Sequence, residues 1–85
     1  MVNKKAVRDM FFYALEMAHE NWDAAFENLY ASRVRLMNSD RNTKEACKVA
    51  LKMAEEQEYK TRREVKIAWR LYRDSQTWSP EAVQP

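Results

Sequence analysis

Glycine is absent from this 85-residue chain, where average usage would supply about six. Both prolines, Pro80 and Pro85, lie in the last six residues. Positions 1–79 therefore lack the two residues that most readily break a helix. Alanine, leucine, methionine, glutamate, lysine and arginine are plentiful, and these are the better helix formers. The chain reads as all-α.

Other scarcities exclude chemistry. Cys47 is the only cysteine, so no internal disulfide forms, which favours a reducing, cytoplasmic compartment. With no glycine there is no phosphate-cradling loop. His19 is the only histidine, so any triad or metal centre runs through it. Glu16 and His19 make one Glu-x-x-His step, but di-iron bundles need two such steps and further carboxylates. His19-Glu20-Asn21-Trp22-Asp23 has Asp where a zinc-protease helix needs a second His. No catalytic activity, cofactor, metal or small-molecule substrate is expected. No apolar run approaches the roughly 20 residues of a membrane span, and Met-Val-Asn-Lys-Lys leads into no apolar signal core.

What is present is helical periodicity. A first helix is expected from about Lys5 to Glu20, with Ala6, Met10, Ala14 and Met17 in one stripe and Val7, Phe11, Leu15 and Ala18 widening it. Phe12 is anomalous, lying on the solvated side with Arg8, Asp9, Glu16, His19 and Glu20. Asn21 is a plausible N-cap for a second helix from Trp22 to Met37. Tyr13, however, stands where a tetratricopeptide repeat needs a small residue before such a junction, and no second hairpin follows 34 residues on. Asn38-Ser39-Asp40-Arg41-Asn42 is a loop, and Asn42 with Glu45 resembles a capping box.

A third helix carries Ala46, Val49, Ala50, Met53 and Ala54 on its apolar side, with Gln57, Glu58 and Thr61 interrupting the stripe. Thr61-Arg62-Arg63-Glu64 looks like another capping box. Yet the apolar sector of 65–72 keeps the phase of 46–54, which favours one long helix. The expected fold is a small bundle of three helices, the third long (about 43–73) or kinked near 59–61 into a fourth. Residues 1–75 are expected to form one domain, followed by a tail at 76–85 in which Ser79-Pro80-Glu81 is suited to start a helical turn and Trp78 to pin the tail to the body.

Charge singles out one stretch. Residues 1–60 carry equal numbers of acidic and basic side chains, whereas 61–73 carry five basic and one acidic. Arg62, Arg63, Lys66, Arg70 and Arg73 fall within an arc of roughly 100°. Beside them, an apolar sector holds Ile67, Trp69, Leu71 and Tyr72. A third helix longer than the preceding hairpin would leave that sector overhanging in water.

The expected function is a non-catalytic interaction protein, an adaptor, regulator or inhibitor of the kind small bacterial or phage proteins supply. It would bind a protein partner with an acidic surface, or a second copy of itself, through 61–73. Trp69 and Tyr72 would anchor and the basic residues would steer. The alternative is nucleic-acid binding by the same basic arc, with Trp69 stacking on an unpaired base. A membrane surface is the least favoured occupant.

Overall fold

The computed structural model describes residues 3–77. They form two helices of equal length: α1, Lys4–Met37, and α2, Lys44–Thr77, each of 34 residues. The fold is an all-helical hairpin. It is not the three- or four-helix bundle that the sequence suggested.

The first correction falls at Asn21. The expected boundary between two short helices lies inside α1, which continues through Glu20, Asn21 and Trp22 without interruption. Asparagine is only a moderately poor helix former, and Asn21 is exposed, so it occupies a helical turn without burying a polar group. The real N-cap is Asn3, whose side-chain oxygen accepts from the backbone N–H of Lys5 (3.0 Å) and Ala6 (3.4 Å).

The second finding concerns 59–61, where the favoured single helix holds: α2 is continuous, and the kinked alternative with a fourth helix is overturned. Thr61 does not cap. Its hydroxyl donates back to the carbonyls of Gln57 (2.8 Å) and Glu58 (3.0 Å), which satisfies it within a helix interior. Ser75 does the same toward Tyr72, at 2.6 Å.

A third concerns the start of α2. The reciprocal cap is formed by Asp40 and Thr43 instead of Asn42 and Glu45. Asp40 Oδ1 accepts from the Thr43 backbone N–H (2.9 Å) and its hydroxyl (3.0 Å), while Thr43 Oγ1 accepts from the Asp40 N–H (3.3 Å). The backbone bond Lys44 N–H to Asp40 O (3.0 Å) closes the first turn. The expected tail beginning at 76 is helical through Thr77; the turn at Ser79-Pro80-Glu81 and the anchoring by Trp78 lie outside the described residues.

The cap carries a pH prediction. Hydrogen bonds from the Thr43 backbone and then its hydroxyl hold the Asp40 carboxyl below its ordinary value of 3.8. A depressed carboxylate contributes stability that is present above 3.8 and lost as pH falls through the lowered value. Urea midpoints should fall below about pH 4, and Asp40→Asn should flatten part of that acid limb. An unchanged limb would remove Asp40 from the account.

The two helices pack along a narrow seam with a 3.5-residue period. On α1 it runs through Phe11, Leu15, Ala18, Trp22, Ala25, Leu29, Ser32 and Leu36, all buried or half-buried. On α2 it runs through Cys47, Leu51, Ala54, Glu58, Thr61, Val65, Ala68, Tyr72 and Ser75, again all buried or half-buried. One heptad position is mostly small: Ala18, Ala25 and Ser32 on α1, after the large Phe11, and Cys47, Ala54, Thr61, Ala68 and Ser75 on α2. Small residues let antiparallel backbones approach closely, and the 3.5-residue spacing keeps the stripe facing its partner over the full length. Because α1 is as long as α2, no part of α2 overhangs.

Candidate interaction faces

A two-helix hairpin has two broad faces, one on each side of its seam. The heptad phase assigns residues to each. Phe12, His19 and Phe26 of α1 and Arg62 and Trp69 of α2 flank the seam on one side. Ala14, Asn21 and Asn28 of α1 and Gln57, Glu64 and Leu71 of α2 flank it on the other.

On the first side, aromatic rings dominate. The Phe12 and Tyr72 ring centroids lie 5.6 Å apart at 54°, and Trp69 lies 6.0 Å from Tyr72 at 39°. Tilted geometries at these separations are favourable for aromatic pairs. Phe12, anomalous on a lone helix, thus covers the seam residue Tyr72 from the opposite helix of the hairpin. Further along α1, His19 and Trp22 lie 6.3 Å apart at 42°, and Phe26 and Tyr30 are exposed.

A polar layer crosses the seam at mid-length. Trp22 Nε1 donates to Glu58 Oε1 at 3.2 Å, and Arg62 Nε lies 3.7 Å from the same oxygen. Glu58, which interrupted the apolar stripe in the sequence, therefore supplies the acceptor that a half-buried indole N–H requires. Arg62 is also 5.6 Å from the centroid of the Tyr59 ring, and Arg63 is 5.9 Å from it. Both distances suit cation–π attraction.

The hairpin divides the site residues expected from sequence into three groups. Arg62, Arg63, Lys66, Arg70 and Arg73 are all exposed along the outer flank of α2, with Trp69 at the inner border of that arc. Tyr72 is half-buried in the seam beneath Phe12 and Trp69. Ile67 and Leu71 are exposed on the other side of the hairpin, where they belong to a different surface from Trp69.

Folding also adds a feature no single segment shows. Asp9, Glu16 and Asp23 recur at one heptad position of α1 and form an exposed acidic edge on the aromatic side. Over its half away from the loop the face is consequently bipolar: acidic along α1, aromatic along the middle, and basic along α2 through Arg62, Lys66 and Arg73, while nearer the loop Arg33 of α1 and Glu55 of α2 are also exposed on it.

On the opposite side the surface is flatter and poorer in charge. A shallow groove of about 460 Å³ is lined in part by Asn21, Ala24, Asn28, Lys60 and Glu64. A neighbouring one of about 370 Å³ is lined in part by Ser32, Ala50, Met53 and Ala54.

Glu16 and His19 are exposed, and among the described residues no group of three or more His, Cys, Asp or Glu is placed to hold a metal ion. Cys47 is a half-buried free thiol in the seam. No described helix is long and apolar enough to cross a membrane. No protein-family model matches the chain, and neither the curated proteins nor the solved structures give a significant match.

Proposed function

We propose that this chain is a non-catalytic interaction protein whose bipolar aromatic face receives a protein partner. The observation that carries the reading is the Phe12–Tyr72–Trp69 cluster toward the open end of that face, with Trp69 still 52% exposed. Exposed aromatics ringed by charge are the usual composition of an interface hot spot and its rim. Arg62, Lys66 and Arg73 on one edge, and Asp9, Glu16 and Asp23 on the other, would orient a partner of complementary pattern and raise the encounter rate.

Nucleic acid on the basic edge is the competing reading. The acidic edge lies nearly the 20 Å width of the hairpin away, about two Debye lengths, so its repulsion is largely screened and salt dependence separates the two.

Binding by immobilised protein tests the reading. A protein ligand retained by the wild type should bind at least about 30-fold more weakly to Trp69→Ala, corresponding to a hot-spot loss of about 2 kcal/mol or more. It should survive a rise from about 50 to about 200 mM salt with only modest loss. Retention of nucleic acid that is indifferent to Trp69→Ala and falls by orders of magnitude over that salt range would replace this reading with the other.

A further inference from the structure

The chain exposes 7070 Å², where a compact monomer of 10.2 kDa exposes about 5300 Å². Exposed apolar side chains lie on the aromatic side and also on the side away from the aromatic cluster. Met10, Met17, Met53, Ile67 and Leu71 are all exposed on the latter.

The order of residues along α1 on that side is asymmetric. Met10, Met17, Ala24 and Ala31 recur every seventh position, two large and then two small. Turning a second α1 end for end places Met10 against Ala31 and Met17 against Ala24. The two-fold axis then passes beside Asn21. On α2 the residues level with Asn21 are those sharing its groove, Lys60 and Glu64. The same axis sets each Lys60 opposite the Glu64 of the other copy, so the charges at the centre of the face are self-complementary.

We infer that this face is a self-association surface, on which a second copy of the chain packs with its loop at the opposite end. The product is an antiparallel four-helix bundle in which α1 meets α1 and α2 meets α2. Met17 of the second copy fills the groove beside Ala24, a role suited to an unbranched, adaptable side chain. Placing the loops at the same end instead would set α1 against α2, bringing Met17 against Ile67 and Lys60 against Ala24, and would lose the pairing of Lys60 with Glu64. The charge pairing selects the antiparallel arrangement.

Area supports the same occupant. A face about 51 Å long, from 34 residues of helix, and close to the 20 Å width of the hairpin offers on the order of 1000 Å² per copy, above the about 800 Å² of a standard interface. The association is independent of the proposed partner face, which it leaves outward on both sides of the bundle.

Sedimentation equilibrium of the full chain should give twice the monomer mass at micromolar concentration. Ala24→Glu should raise the dimer dissociation constant by about 100-fold or more, because it fills the space beside Ala24 that Met17 of the second copy occupies. Tyr30→Glu, on the aromatic side, should leave it unchanged. Lys60→Glu and Glu64→Lys should each weaken the dimer, and the double exchange should restore it, which also controls for misfolding. In a Cys47→Ser background, spin labels at Met37→Cys should lie about 50 Å apart, since each residue is about 25 Å from the axis. Labels at Asn21→Cys should lie within about 20 Å, as expected beside an axis between helices in contact. A monomer at all accessible concentrations, a dimer indifferent to Ala24→Glu, failure of the double exchange to restore association, or closely spaced Met37 labels would each overturn the inference.

Discussion

Proline at position 21 abolishes cooperative unfolding of this hairpin. Asn21 is exposed, so Asn21→Pro removes little packing. Its effect runs through the backbone. Within a continuous α1, the substitution deletes a main-chain hydrogen bond to the preceding turn and drives the pyrrolidine ring into the Met17 carbonyl, at a cost of about 3 kcal/mol or more. A core this thin supplies only about 3–5 kcal/mol in total. Urea titration followed by helical circular dichroism, at matched protein concentration, should show a broad, non-cooperative loss of signal. Were Asn21 the cap of a separate helix, proline would cost only about 1 kcal/mol, the loss of that cap. A loss that small would refute the two-helix architecture.

The second large effect comes from making the seam bigger. Ala54 is 2% exposed and shares a groove with Ser32 of the opposite helix. Both are small, so the two backbones approach there. Ala54→Phe adds apolar area, which in an underfilled core would stabilise. Directed from a 2% exposed position into the seam, the ring must push the helices apart, costing about 1–3 kcal/mol. Val49→Phe is the control. Val49 is 60% exposed on the outside of α2, and the same side chain there should change stability by less than about 0.5 kcal/mol. Equal effects at both positions would mean that the small residues of the seam do not set the helix separation.

Those residues also show how far the sequence could be read. Ala18, Ala25 and Ser32 lie seven apart, and their register passes straight through Asn21. That unbroken period was the available sign of one long helix. Local cap chemistry at Asn21 outweighed it because asparagine, without context, fits a cap better than a helix interior. Thr61 posed the same ambiguity and resolved the same way: its hydroxyl bonds inside the helix because Thr61 is packed against α1. Glu58 looked like a defect in the stripe until the indole of Trp22, 36 residues earlier, supplied its donor.

The candidate site was legible only in part. The basic arc of 62–73 follows from helical phase alone and stands where phase puts it. Phe12 was visible as an anomaly, but its purpose was not, since Tyr72 lies 60 residues further on and only the hairpin brings the rings together. The separation of Ile67 and Leu71 from Trp69 was equally hidden. A helical wheel shows one wide apolar sector; a partner helix laid along its centre divides that sector into two faces.

By itself, the sequence determined that the chain is helical, that its turn falls near 38–43, and that its positive excess is confined to one arc of one helix. These depend on backbone preference and on phase, both of which are local. Only the tertiary structure decided how many helices there are, which apolar residues are spent on the seam and which remain outside. That outcome rests on a competition between caps and packing along 34-residue helices, and packing is settled by residues far apart in the chain.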